Sequence, residues 1–253
     1  MATSVLDLIG QTPIIRLRHV VPSNCAEIWV KFEAKNPTGS YKDRMAVSIV
    51  RNAMDRGDVS VGDAVVEYTG GSTGSSLAFA CAALGLKFTA VFSDAFSLSK
   101  QQTMEAFGAK VIVEESHGQG ITPDLIGRMK QKAMALCDET GAFYADQFGS
   151  ADVPLGFEPM GQEIADELGD GIDIFCASVG TAGALMGTYR GLTKSGVSPR
   201  VVAFEPVQSP FLTTGKGGSH KVEGVGVGFY PPFLDQSALS DVRTVDQEAG
   251  FAM

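Results

Sequence analysis

The chain has 253 residues and a formal net charge of −9 at pH 7, with 44% hydrophobic and 19% charged residues. That balance excludes a disordered chain, and the length allows one large or two small domains with a sizeable core. A pI of about 4.8 argues against a nucleic-acid surface, which needs a basic face.

Residues 1–10 lack a basic segment followed by an apolar run, so no secretory leader is predicted. Residues 27–32 (EIWVKF) alternate like a strand, and 43–56 have helical spacing with Met45, Ile49 and Met54 available to one face. Strand 64–68 (AVVEY) leads to a buried, alanine-rich helix over 75–84. The apolar stretch 77–86 ends at Lys87. It is too short for a bilayer, which takes about 20 residues. Strand 87–92, helix 99–107 (stopped by Gly108) and strand 110–114 follow. A long helix over 122–139 carries Pro123 in its first turn, where proline is tolerated. Helix 156–168, strand 172–178, helix 184–192 and strand 200–205 complete the alternation. Thr244 and Gln247 read as a capping box for a last helix through Glu248, Ala249 and Phe251. A helix so short is marginal alone, so the chain reads as shorter than the fold it encodes.

This rhythm predicts an α/β protein with parallel sheets wrapped by helices. The strand–helix blocks suggest two lobes with a cleft: a smaller one over 46–150, and a larger one combining 1–45 with 151–253. Cys25, Cys81, Cys137 and Cys176 form no C-x-x-C pair and read as reduced, mostly buried thiols. With no leader and no membrane span, a cytoplasmic location is expected. His19, His117 and His220 have no zinc-site spacing and read as surface or hydrogen-bonded residues.

Four stretches could carry chemistry. In 36–44 (NPTGSYKDR) a turn opens a helix near Lys42. The positive end of the helix dipole and burial both disfavour an ammonium there, and a neutral amine can form a Schiff base. The plain alternative is a solvated lysine at a helix start. In 68–75 (YTGGSTGS) glycines and hydroxyl residues at a strand-to-helix turn present backbone N–H groups to a carboxylate or phosphate. In 178–184 (SVGTAGA) the same device recurs with clearer flanks. Ala182 breaks the G-x-G-x-x-G dinucleotide fingerprint and no Gly-Lys-Ser/Thr follows, so it reads as a cradle for a single phosphate. In 223–228 (EGVGVG) alternating glycines let a flat ligand approach the backbone. Each of the last three has an ordinary turn or loop as its plain alternative. A Schiff-base lysine and a phosphate cradle on different lobes would be bridged by a cofactor with an aldehyde and a phosphate, such as pyridoxal 5'-phosphate.

These stretches resemble the cysteine synthase/cystathionine β-synthase family of fold type II pyridoxal-phosphate enzymes. The resemblance runs from 7–13 (DLIGQTP), similar to the family's I-G-x-T-P start, to the end of the chain. Residues 35–44 resemble K-x-N-P-T/S-G-S-x-K-D-R nearly residue for residue, which is highly specific. The resemblance implies a fold like the tryptophan synthase β-subunit, with two lobes of three-layer αβα build, and a homodimer. It implies that Lys42 holds the cofactor and moves the substrate Cα proton. Residues 69–74 (TGGSTG) resemble T-S-G-N-T-G, implying that Thr69, Gly70, Ser72, Thr73 and Gln147 hold the substrate carboxylate. Ser72 stands where the family has an asparagine facing the cofactor's 3'-oxygen. Gly180, Thr181, Ala182, Gly183 and Ala184 resemble the G-T-G-G-T phosphate loop, with Ala182 and Ala184 replacing a glycine and a threonine. Gly224 opens a stretch that resembles the G-I-G loop beside the cofactor ring. Family members continue for several tens of residues beyond this end, carrying a Ser or Thr near the pyridine nitrogen.

The implied reaction is β-replacement on an activated serine, with O-acetylserine and sulfide giving cysteine. The alternatives are an eliminating lyase of serine/threonine dehydratase type and a non-catalytic, truncated paralogue. A nicotinamide-dependent dehydrogenase shares the strand–helix rhythm but lacks support from the fingerprint loop.

Overall fold

The computed structural model describes residues 3–252. Strands β1 (Ile14–Arg16) and β2 (Trp29–Lys31) pair antiparallel, with Ile15 opposite Val30. Helix α1 (Lys42–Arg56) follows and buries Met45, Ile49 and Val50, with Met54 only partly covered.

The first parallel sheet takes β3 (Ala64–Tyr68), β4 (Lys87–Ser93), β5 (Lys110–Glu114) and β6 (Phe143–Tyr144) in the order β5-β4-β3-β6. The crossovers are α2 (Ser72–Leu84), α3 (Leu98–Ala106) and α4 (Pro123–Thr140). Both faces of this sheet are covered. Ile49, Leu77, Phe92 and Met104 fill one side, while Val66, Val91, Leu125 and Met129 fill the other beneath α4. A parallel strand covered on both faces reads as a continuous apolar run, as β3 and β4 do.

Helix α5 (Asp152–Leu168) leads to the second sheet, β7 (Ile174–Ser178), β8 (Arg200–Pro206) and β9 (Asp241–Val245), parallel in that order. Helix α6 (Gly183–Lys194) connects β7 to β8, a four-residue helix α7 (Phe211–Thr214) follows β8, and α8 (Gln247–Ala252) follows β9.

Two of the four candidate segments, at the starts of α1 and α6, are held by α5. Its Gly161 meets α6 so closely that a Cβ there would lie 2.1 Å from the Thr188 carbonyl oxygen; one at Gly191 of α6 would lie 2.0 Å from that of Glu158. Only glycine lets the two backbones touch. On its other side α5 packs on α1, where a Cβ at Gly156 would lie 2.7 Å from the Arg44 carbonyl oxygen. Buried charge reinforces this second contact. Arg44 bridges Glu33 and Glu163, each at 2.7 Å, and Lys31 reaches Glu163 at 2.9 Å. Burial opposes the charge on Glu163, but the hydrogen bonds from Arg44 and Lys31 outweigh it and hold the carboxyl at about 2. Such a network does more for register than for net stability, because desolvation cancels much of the attraction.

Several local expectations are corrected. The strand expected over 27–32 is only three residues long, in a short antiparallel ribbon. Helix α2 begins at Ser72 rather than at residue 75, so Ser72 and Thr73 lie in its first turn. Helix α5 begins at Asp152, since Pro154 in the first turn requires no hydrogen bond from its nitrogen. Thr244 is no cap: it lies in β9, and the Asp246 carboxylate accepts the amides of Glu248 and Ala249 instead. Of the cysteines only Cys81 is buried; Cys137 is half-buried, and Cys25 and Cys176 are exposed.

Candidate active site

Lys42 opens α1 directly after Tyr41 and is 7% exposed. Among the described residues its Nζ has no ion-pair or hydrogen-bond partner; it lies 5.0 Å from the centroid of the Tyr41 ring. The adjacent Asp43 carboxylate is occupied elsewhere, accepting the Thr38 amide at 2.8 Å and the Thr38 hydroxyl at 2.5 Å. A largely buried lysine whose amine has no counter-ion is uncommon and marks a candidate reactive group.

The turn from β3 to α2 folds around the Thr69 hydroxyl, which accepts the amides of Gly71 at 3.0 Å and Gly74 at 3.1 Å. Among the described residues the amides of Gly70, Ser72 and Thr73 donate to no protein acceptor. Gln147, in the loop after β6, joins the turn: its side-chain oxygen accepts the Thr73 hydroxyl at 2.8 Å, and its Nε2 donates to the Tyr68 carbonyl at 3.1 Å. Beneath them Glu67 is fully buried. Its carboxyl accepts the amides of Gln147 at 2.9 Å and Tyr68 at 3.0 Å. Burial outweighs these bonds and pushes Glu67 up to about 8, so it is mostly uncharged at neutral pH.

The turn from β7 to α6 is built differently. Ala182, its N-cap, is held at φ 65°. The Thr181 hydroxyl accepts the Gly183 amide at 3.2 Å. Among the described residues the amides of Gly180, Thr181, Ala182, Ala184 and Leu185 donate to no protein acceptor, although Thr181 and Ala182 are buried. Buried, orphaned donors at the positive end of a helix call for an anion. A Cβ at Gly180 would lie 2.2 Å from the Gly224 carbonyl oxygen, so this turn lies directly against the glycine loop over 224–228. That loop is clasped by His220: Nδ1 accepts the Val222 amide at 3.3 Å, leaving Nε2 to donate to the Gly226 carbonyl at 3.0 Å.

Besides the direct Gly180–Gly224 contact, neighbouring residues link the four stretches picked out from sequence. The Thr38 and Ser76 hydroxyls are 3.2 Å apart, tying the lysine turn to α2. Tyr41 packs on Phe157 of α5 at 5.6 Å, and Phe157 borders Gly183. Phe148, next to Gln147, packs on Phe229 beyond the glycine loop at 5.4 Å. Sequence reasoning missed Glu67, whose signal was a lone acid inside a strand buried on both faces. It also missed the clasp made by His220, for which only a general hydrogen-bonding role was read.

A cofactor aldehyde needs an unpaired amine, a phosphate needs unsatisfied amides, and a flat ring needs a bare backbone. The residues present fit pyridoxal phosphate on each count. Residues 5–253 match the family described as pyridoxal-phosphate dependent enzyme, and the chain belongs to that family. Among curated proteins it is 35% identical over 252 residues to a cysteine synthase of Staphylococcus aureus, covering 99% of this chain and 79% of that protein. It is 36% identical over 246 residues to the O-ureido-L-serine synthase of Streptomyces lavendulae, covering 96% and 74%. Among solved structures, O-ureido-L-serine synthase superposes with a TM-score of 0.89 at 34% identity, covering 98% of this chain and 77% of that one. O-acetyl serine sulfhydrylase isoform 3 of Entamoeba histolytica gives 0.91 at 29% identity, covering 100% and 76%. The α/β architecture with parallel sheets is thus that of its pyridoxal-phosphate relatives, and pyridoxal 5'-phosphate is the cofactor of the family.

Proposed function

We propose that the protein replaces the β-substituent of an activated serine in the manner of a cysteine synthase, taking O-acetylserine and sulfide to cysteine and acetate. The observation that carries the reading is the largely buried Lys42, its amine without a counter-ion, linked through Tyr41 and Phe157 to a turn of unsatisfied amides. When bound, pyridoxal phosphate supplies an electron sink for negative charge at the substrate Cα. Lys42 holds its aldehyde and moves the Cα proton. Gly180, Thr181, Ala182, Gly183 and Ala184 would hold its phosphate, and Ser72 and Gly224 would contact its ring. Thr69, Gly70, Ser72, Thr73 and Gln147 orient the substrate carboxylate.

The same reading takes residues 46–150 as the smaller lobe and 1–45 with 151–253 as the larger, because each parallel sheet falls within one of them. It extends to a cytoplasmic homodimer. Ile15, Ile28, Trp29 and Val30, exposed on and beside the β1–β2 ribbon, support self-association. Among the described residues no helix is long and apolar enough to cross a membrane. Light scattering and cell fractionation check both statements.

The purified chain mixed with pyridoxal phosphate should turn yellow, and borohydride should fix the label on Lys42. Lys42→Ala should abolish both. With O-acetylserine and sulfide, cysteine should accumulate. Pyruvate as the main product would replace this reading with an eliminating lyase. A chain that never takes up the cofactor would overturn it in favour of a non-catalytic protein. The O-ureido-L-serine synthase likeness favours a second product, O-ureido-L-serine, tested by offering hydroxyurea in place of sulfide.

A further inference from the structure

The segment after β4 runs along the turn at 69–74. Three side chains four residues apart touch three of its glycines. Built Cβ atoms at Gly70, Gly71 and Gly74 would meet Phe96 at 2.5 Å, Lys100 at 3.2 Å and the Met104 sulfur at 2.4 Å. Lys100 and Met104 lie on α3, and Met104 is fully buried, so the helix is fixed in register against the turn. Phe96 sits just before α3. Its amide closes a turn onto the Ser93 carbonyl at 3.1 Å, and its ring packs on the buried Phe92 at 5.6 Å. The ring is therefore anchored on one side and half-buried on the other, with its edge in the notch that Gly70 leaves. The notch is at Gly70, the first of three residues in the turn (Gly70, Ser72 and Thr73) whose amides have no protein acceptor among the described residues.

We propose that Phe96 is a substrate-binding residue, its ring roofing the free amides of the 69–73 turn and shielding a bound amino-acid carboxylate from water. The proposal rests on the function given above and adds a residue to it. Three donors under an apolar roof hold a carboxylate more tightly than the same donors open to solvent, because charge-assisted hydrogen bonds strengthen as water is excluded. The roof also explains why position 70 is glycine: any side chain there would meet the ring edge.

The test uses the cofactor-loaded protein with L-alanine, an amino acid that binds but has no leaving group, followed by its visible spectrum. Phe96→Ala and the milder Phe96→Leu should retain the cofactor band and bind L-alanine about tenfold or more weakly, the loss expected when a charge-assisted contact opens to water. With O-acetylserine the loss should fall on KM and leave kcat nearly unchanged. Gly70→Ser alone should abolish L-alanine binding, and adding Phe96→Ala should restore part of it. Unchanged L-alanine affinity in both Phe96 variants, or a double variant no better than Gly70→Ser, would overturn the proposal. A wild-type chain that binds L-alanine but makes no product from O-acetylserine would count against the proposed reaction and leave the Phe96 assignment standing.

Discussion

The two strand-to-helix turns use one device and differ in how much of it they keep for a ligand. In the first, the Thr69 hydroxyl consumes two amides and three remain free, above a buried carboxyl that is mostly neutral. In the second, the Thr181 hydroxyl consumes one and five remain free, with the Gly224 carbonyl pressed against the turn. The donor count matches the charge each is proposed to receive: fewer donors for a singly charged carboxylate, more for a phosphate approaching two charges. Turns that look alike in sequence are thus sorted by how many of their own hydrogen bonds they have already satisfied.

The largest expected effect tests the support beneath the first turn. Glu67 ionises at about 8 in the fold against 4.5 unfolded. A carboxyl raised in this way contributes stability in full below 4.5 and loses it as pH rises through 8, because the unfolded chain releases the proton first. The linkage is about 5 kcal/mol across that window. Urea unfolding at pH 5 and pH 8 should show the decline, and Glu67→Gln should flatten it. Glu163 does not confuse the measurement: its ionised form is the stabilising one, and that contribution is lost only as pH falls from 4.5 towards 2. A wild-type profile that is flat between pH 5 and 8 would mean that Glu67 is already charged, and the contrast between a neutral support and a bare turn would fail.

The second turn is tested by filling it. Gly180→Ala puts a methyl 2.2 Å from a backbone oxygen, where neither side is a flexible side chain. Overpacking of this kind costs about 3 kcal/mol, so pyridoxal phosphate affinity should fall about 100-fold. Equilibrium dialysis of the cofactor measures it. A variant that keeps wild-type affinity would mean that the Gly180–Gly224 contact does not shape the cradle.

Much of the candidate site was legible because reactive chemistry depends on residue type. Lysine after Asn-Pro-Thr-Gly-Ser-Tyr, and glycine clusters after strands, stand out from any helix pattern. The crossovers were legible too, since β3, β4 and β5 are apolar runs of ordinary length. What stayed hidden was either short or made by distant partners. β6 has two residues, and β9 (DVRTV) alternates polar residues at an edge, so neither carries a strong strand signal. The start of α2 at Ser72 was obscured because serine, threonine and glycine favour turns by propensity. Tertiary packing of Met104 on Gly74 overrides that preference. Glu67 and Gln147 meet across 80 positions, and Phe96 finds Gly70 beyond the C-terminal ends of the neighbouring strands β4 and β3, which no local pattern reports.

A smaller effect separates the internal bonding of the turns. Thr69→Val keeps the shape but removes the acceptor for the Gly71 and Gly74 amides. Leaving buried donors unpaired costs about 2 kcal/mol. Thermal unfolding should register that loss, and Thr69→Ser should recover most of it, while cofactor uptake at the other turn stays as in wild type. Equal damage to cofactor uptake would show that the two turns do not act as separate cradles.

The smallest effect concerns the backbone of the second turn. Ala182 holds φ 65° and ψ −5° as the N-cap of α6, a left-handed conformation that costs a residue with a Cβ about 1 kcal/mol more than glycine. Glycine, the residue at this place in the family pattern that the sequence resembles, would remove that strain and at the same time widen the unfolded ensemble, and the two terms oppose each other. The strain term is the larger where φ is positive, so Ala182→Gly should stabilise the fold by about 0.5–1 kcal/mol, read as a rise of a few degrees at most in melting temperature. It should leave the cofactor affinity near its wild-type value, because the donors are backbone amides whose direction is set by φ and ψ and not by the methyl group. A destabilised Ala182→Gly would mean instead that the Ala182 side chain, buried against Leu185 and Val201, contributes more through packing than its backbone conformation costs.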